Sequence, residues 1–481
     1  MFVPRTDEHA INFLPPYFDP DYVEHAVKPF MASSIVTGER PLLPMIELAL
    51  TKEKAIPQHI FGMLYENWTP NMEEEGLSVF LQGYENRGPD NERKRIYYSA
   101  FTADLYAGCY QPKVNAFLDR LFVAENAGKP LMQTYYGSYF DLYWDLHLGV
   151  SGADIPDEIR EIGKAFNTVI GFWFPTMDVV YQSYMKVRAL RQTLRDWVDA
   201  RVEDILQGRT PGYENTIVHY WIKNGEFKEN FRRKDIVFEC FHNFLAFSQW
   251  GNTLYNIVAR LDRGDGDAAV KDWFARTMQD PDRRDGGAAP FTPLDRFTME
   301  LFRTISPNGG SYSVSNARQS LEGQGYNGIL TLHLPSSENP LHWENPTAFD
   351  PDRYLKAPLT TDHDEASARQ AGLQRCPFHK TTRELRDGRT GSIENSVYGA
   401  VYATVDGTTY PVPDTAGYAP FGFGYRRCPG ELFTIGFVRD FLKKVHAAGV
   451  AFEKLQDDKP AKLPVGPVTV IEDRYAFRLG H

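Results

Sequence analysis

A chain of 481 residues with 42% hydrophobic and 24% charged side chains has the make-up of a folded globular protein, which excludes a disordered or collagen-like chain. With 52 basic against 63 acidic residues the formal net charge is −11, so bulk electrostatics exclude a general affinity for nucleic acid or an anionic membrane surface. The four cysteines, Cys109, Cys240, Cys376 and Cys428, lie far apart with no C-x-x-C pair, the usage of a reducing compartment. The amino terminus lacks the basic start and apolar centre of a signal peptide, and no apolar run approaches the ~20 residues that span a bilayer. A soluble, cytoplasmic protein is the expectation.

No internal repeat or low-complexity tract divides the chain, and one domain over 1–481 is the simplest organisation. From about Tyr22 to Arg303 the pattern is mostly helical. Val114, Phe117, Leu118 and Leu121 fall at i, i+3, i+4 and i+7 and predict one buried stripe. The stretch Asp235 to Leu261 is apolar nearly all round, as a central buried helix should be. After Arg303 the texture changes to short runs broken by Gly and Pro, with a strand predicted from Gly328 up to Pro335. Residues 356–415 are polar, and in them Asp406-Gly407 separates two β-prone runs, a hairpin signature. His363, Cys376 and His379 supply part of a zinc ligand set without a fourth partner, so a polar loop is the reading there. The fold class expected is mostly α with a smaller β portion.

The stretch Pro420-Phe-Gly-Phe-Gly-Tyr-Arg-Arg-Cys-Pro-Gly-Glu carries the most chemistry. Cys428 stands at the end of a Gly-rich turn and at the mouth of a helix, where Pro429 fits the first turn and Glu431 suits the positive end. That setting stabilises a thiolate. Gly422, Gly424 and Gly430 let the backbone approach a flat ligand, Phe421 can shield it from water, and Arg426 offers a fixed charge for a carboxylate. Phe421, Gly424, Arg426, Cys428 and Gly430 fill every fixed position of F-x-x-G-x-R-x-C-x-G, and here the chain resembles the cytochrome P450 family. The resemblance implies a single large P450-like domain holding haem b, with Cys428 as the proximal iron ligand and Arg426 on a haem propionate. Phe437 stands where the family often carries Glu, so helix packing there must differ locally.

Two further stretches follow the family's order. Glu300-Leu-Phe-Arg303 resembles its E-x-x-R helix, and Arg353, in Asn345-Pro-Thr-Ala-Phe-Asp-Pro-Asp-Arg, resembles the residue that completes a Glu-Arg-Arg cluster. Asn91-Glu-Arg-Lys-Arg95 resembles the haem-contacting helix, with Arg95 on a propionate and Asn91 in the slot of His or Trp. Ser313 occupies a place where many members have Arg, which leaves propionate anchoring to Arg95 and Arg426. The resemblance runs from about Asp90 to the end; residues 1–80 match only loosely, and 356–415 read as an insertion.

On the central helix the family's A-G-x-D-T pattern, which relays protons to iron-bound oxygen, has no counterpart. One register puts Asn252 and Thr253 in the acid and alcohol places with Trp250 where a small residue is expected; another brings Gln249 near the iron with Ser248 beside it. Neither supplies a carboxylic acid, and an amide cannot deliver and recover a proton as a carboxylate does. Phe247, Asn308 and Gly309 are candidate substrate contacts. The expected function is oxidation of a small or medium apolar or aromatic molecule with O₂ and reductant. Oxidative phenol coupling, peroxygenase, isomerase or dehydratase chemistry is the alternative, and a non-catalytic binding partner the remote one. Arg427, Lys443 and Lys444, with Arg93 and Lys94, form a basic patch suited to an acidic ferredoxin or flavodoxin.

Overall fold

Helices form where apolar residues recur every three to four positions, and they account for most of the described residues. The computed structural model describes residues 35–36, 96–97, 99–170, 178–227, 231–283, 291–305, 310–314, 328–332, 344–356, 383–384, 390–391, 402–405, 408–411, 430–455 and 473–480. After β1 (Ile35–Val36), a short helical turn at Ala103–Leu105 and a π turn at Tyr106–Tyr110 lead into α1 (Gln111–Leu121). Pro112 sits in its first turn, where a missing N–H costs little, and Val114, Phe117, Leu118 and Leu121 are buried as their spacing predicts. The next helix, α2 (Leu131–Leu148), stops at Gly149, whose φ of 70° is left-handed and suits glycine. Helices α3 (Asp157–Ile170) and α4 (Asp178–Leu206) pack along one another. Thr216 opens α5 (Ile217–Gly225) by accepting the His219 N–H at 3.2 Å.

The central helix α6 spans Arg233–Leu261, about 44 Å at the usual rise. It begins where Asp235 accepts the Arg232 N–H at 2.9 Å, and it packs against α2, α3 and α4. Two further helices, α7 (Ala268–Thr277) and α8 (Pro293–Ile305), close on its carboxyl half. At the start of α8, Thr292 and Asp295 cap each other's N–H groups at 3.0 and 3.1 Å. Arg260 of α6 donates to Thr304 of α8 at 2.8 Å.

The β portion is small. Strand β2 (Gly310–Val314) pairs antiparallel with β3 (Gly328–Leu332), and β1 adds in parallel on the other side of β3. A two-residue pair, β4 (Arg383–Glu384) and β5 (Thr390–Gly391), precedes the hairpin of β6 (Tyr402–Val405) and β7 (Thr408–Pro411), whose connection is the Asp406-Gly407 predicted for it. Helix α9 (Glu431–Ala447) then runs back into the core, and β8 (Val450–Lys454) pairs with β9 (Tyr475–Leu479). Among the described residues no helix is long and apolar enough to cross a membrane.

One glycine of α6 sets how closely α2 approaches it. A Cβ on Gly251 would lie 2.0 Å from the Tyr136 hydroxyl oxygen, so the phenol of α2 occupies the notch left by the missing side chain. Gly251→Ala is expected to cost about 1–3 kcal/mol by overpacking. Chemical denaturation reads the loss, and Tyr136→Phe in the same chain should return part of it by removing the clashing oxygen.

Candidate functional site

Helix α9 starts at Glu431, with Gly430 at its N-cap and Cys428 two residues before that cap. The Thr434 N–H donates to the Gly430 carbonyl at 2.8 Å, and the buried Glu431 carboxylate lies in the first turn, at the positive end of the helix. Facing it across the core is Trp250 of α6. Its indole N–H donates to Thr434 Oγ1 at 3.0 Å, and its ring stacks on Phe437 at 4.1 Å and on Phe433 at 5.2 Å between centroids. At Phe437 the aromatic ring has an aromatic partner on the central helix, in a fully buried place where a lone carboxylate would be costly.

Phe433 extends the cluster toward the segment that follows Arg95. Its ring meets Phe101 at 6.0 Å, and Tyr106 and Tyr110 at 5.2 Å each. Tyr106 fills the space beside Gly436, where a Cβ would lie 2.5 Å from ring carbons. The Tyr106 hydroxyl donates to Asp440 at 2.6 Å and Gln111 donates to the other oxygen at 2.8 Å, while burial pushes the Asp440 carboxyl up from its ordinary range. The aromatic cluster thereby links the residues from Phe101 to Tyr110, the central helix and α9.

Cys428, Arg426, Phe421, Gly422, Gly424, Arg95, Asn308 and Gly309 lie outside the described residues. Phe247, Ser248, Gln249 and Asn252 fall on α6, with their side chains outside what is described. Thr253 is on the same helix and buried, three residues past the Trp250 stack.

Glu300, Arg303 and Arg353 are brought together at the end of α8. Arg303 grips both carboxylate oxygens of Glu300, at 2.8 and 2.7 Å, and Arg353 donates to one of them at 3.0 Å. Sequence reasoning missed the rest of the shell. Tyr354 donates to Glu300 at 3.1 Å and the Asp350 N–H at 2.9 Å, while the two guanidiniums reach the carbonyls of Pro346, Ala348 and Glu344 at 2.7 to 3.0 Å. Glu300 and Arg303 are fully buried, so this satisfaction is what makes the ion cluster tolerable. The cluster clamps the 344–356 segment onto α8.

A second buried polar group had no sequence signal, because its members are far apart in the chain. Tyr97 bonds Asn243 of α6, and Asn243 bonds His147 of α2. Burial lowers the His147 pKa to about 3, so the ring is neutral.

Of the basic residues expected near the loop, Arg427, Arg93 and Lys94 lie outside the described residues, while Lys443 and Lys444, like the neighbouring Arg439, have acidic partners. Lys443 pairs with Asp282 at 2.6 Å, Lys444 with Asp119, and Arg439 with Asp295 at 3.2 Å. A docking surface built on Lys443 and Lys444 is therefore less positive than their sequence positions alone imply. Among the described residues no group of three His, Cys, Asp or Glu side chains could hold a metal ion.

A haem-thiolate site calls for a cysteine donor to the iron, cations for two carboxylates, and an apolar boundary. The residue types here fit: Cys428 precedes the mouth of α9 in the sequence, Arg426 and Arg95 are the candidate cations, and the Trp250–Phe433–Phe437 seam is apolar. No family model and no curated protein matches the sequence. Solved structures match over almost the whole chain. Cyanobacterial CYP120A1 with retinoic acid bound superposes with a TM-score of 0.59 at 16% identity, covering 99% of this chain and 97% of that one. A zebrafish cytochrome P450 with abiraterone gives 0.56 at 13% identity over 93% of each chain. The tirandamycin C-bound P450 monooxygenase TamI gives 0.53 at 13% identity, covering 92% of this chain and 89% of that one. At such identities the likeness is one of architecture, and the chain has the cytochrome P450 fold.

Proposed function

We propose that the chain is a haem-thiolate oxidoreductase that oxidises a small or medium apolar or aromatic molecule with O₂ and reductant. The observation that carries this reading is the convergence, within a P450 fold, of the segment after Arg95, the central helix and the helix that follows Cys428. Cys428 is the proposed iron ligand, and Arg426 and Arg95 hold the haem carboxylates. Phe421, Gly422, Gly424 and Gly430 shape the loop against the macrocycle. Haem with an axial thiolate supplies O₂ or peroxide activation, with sulfur donation favouring O–O cleavage. Neighbouring structures hold retinoic acid, abiraterone or tirandamycin C, which supports an apolar ligand class.

The 247–253 stretch of α6 has no carboxylate. Proton handling falls to Ser248, Gln249, Asn252 and Thr253, to ordered water, or to a hydroxyl on the substrate itself. That absence favours a second reading, oxidative coupling of a phenol that brings its own proton. Turnover under ¹⁸O₂ with mass analysis of the product separates the two. Label in the product supports monooxygenation, and unlabelled coupled product that still needs O₂ and reductant supports coupling. Product formed under argon without reductant defeats both. A single domain over 1–481 with 356–415 as an insertion, a ferredoxin- or flavodoxin-type electron donor, and a cytoplasmic location complete the proposal.

A further inference from the structure

Three parts of the chain meet at a buried polar chain that the proposed chemistry does not use. The Tyr97 hydroxyl donates to Asn243 Oδ1. Asn243 Nδ2 lies 2.9 Å from His147 Nε2, and His147 Nδ1 lies 2.8 Å from the Tyr143 carbonyl. A carbonyl only accepts, so Nδ1 carries the imidazole proton and Nε2 accepts from the amide. The amide is then oriented with Oδ1 toward Tyr97. One tautomer and one amide orientation satisfy the whole series, and each bond dictates the direction of the next.

Tyr97 is held at its other end as well. Its ring stacks on Phe101 and on Trp221, at 5.1 Å each, and its carbonyl accepts the Trp221 indole N–H at 3.0 Å. Ser99 Oγ donates to the Ile96 carbonyl at 2.6 Å and Tyr110 donates to the Ala100 carbonyl at 2.9 Å. The residues just after Arg95 thus have a single determined place against α2, α5 and α6. Apolar side chains of similar size would fill this volume without the cost of burying polar groups. What polar groups add is direction, because a fully satisfied network specifies one arrangement.

We infer that Asn243 and His147 are positioning residues for the cofactor's carboxylate anchor: acting through Tyr97, they set the place of the segment that carries Arg95. This rests on the haem reading above. The test is haemin titration of apo-protein, followed by absorbance, for the wild type and for Tyr97→Phe, Asn243→Leu, His147→Phe and His147→Gln. Val270→Ala, a core truncation in α7, controls for lost stability. Tyr97→Phe keeps the ring stacks and loses only the hydroxyl, so it remains informative if Asn243→Leu fails to fold. Tyr97→Phe and Asn243→Leu are expected to weaken haem affinity about tenfold or more, as outer-shell changes do. His147→Gln, whose amide oxygen can accept from Asn243, should recover most of what His147→Phe loses. In an Arg95→Ala background Asn243→Leu should have no further effect, because its influence runs through Arg95. Haem affinity unchanged from the Val270→Ala control, or an effect that adds fully to Arg95→Ala, overturns the inference. A wild-type chain that takes up no haem instead removes the haem reading and this inference with it.

Discussion

Glu300→Gln is expected to destabilise the protein by about 3–5 kcal/mol, the cost of leaving buried charge without its partner. Arg303 has no exposed side-chain surface, so its guanidinium cannot turn to water when the carboxylate is lost. Against a typical total stability of roughly 5–15 kcal/mol, that is a large fraction. Tyr354→Phe removes one neutral donor from the same carboxylate and should cost about 1.5–3 kcal/mol. Urea unfolding followed by far-UV circular dichroism measures both. Equal, small effects from the two substitutions would mean that the cluster is held by its backbone contacts, and that the Glu300 charge is incidental.

What was legible in the sequence follows from range. The α1 stripe and the β6–β7 hairpin are local, one set by helical period and the other by Asp406-Gly407, and both occur as read. Glu300 and Arg303 share a helix face, but Arg353 could be joined to them only through the family resemblance. The carbonyls of Pro346, Ala348 and Glu344 left no trace, because backbone acceptors carry no side-chain signature, and Tyr354 reaches Glu300 only through tertiary packing. Trp250 and Phe437 are the instructive pair. In the sequence each stands out only against the resemblance, Trp250 where a small residue is expected and Phe437 where Glu is. In space they are a single feature, two rings stacked at 4.1 Å, a pairing that sequence positions 187 residues apart do not reveal. Tyr97, Asn243 and His147 are brought together by tertiary packing alone, which no local pattern encodes.

Stability against pH should carry two opposed contributions. Burial lowers the His147 pKa to about 3 from an ordinary 6.5, so between those values the unfolded chain binds the proton more readily than the folded one. Stability from this group is complete above about pH 6.5 and is lost as pH falls toward 3, in total roughly 5 kcal/mol at 1.36 kcal/mol per pKa unit. Asp473 has the opposite sign. Its carboxyl is raised by burial to about 6 from 3.8, although it accepts the Gln133 N–H at 2.8 Å near the start of α2. The stability that protonated Asp473 retains at low pH is lost as pH rises from 3.8 through 6, in total about 3 kcal/mol. Between about pH 4 and 6 the two slopes cancel. Asp473→Asn should therefore match the wild type near pH 3.5 and exceed it at pH 7 by up to about 3 kcal/mol, and it should expose the His147 slope between. His147→Gln should remove that slope. A constant offset between wild type and Asp473→Asn at every pH would contradict the assignment.

The claim on which the rest depends is that Cys428 is a thiolate ligand to haem iron. Its most direct test is the carbon monoxide difference spectrum of the reduced, haem-loaded protein, recorded for the wild type and for Cys428→Ser. The wild type is expected to give the long-wavelength Soret band that a thiolate ligand produces, and Cys428→Ser to lack it while keeping the fold by circular dichroism. A wild-type spectrum without that band, or a Cys428→Ser spectrum that retains it, would contradict the account.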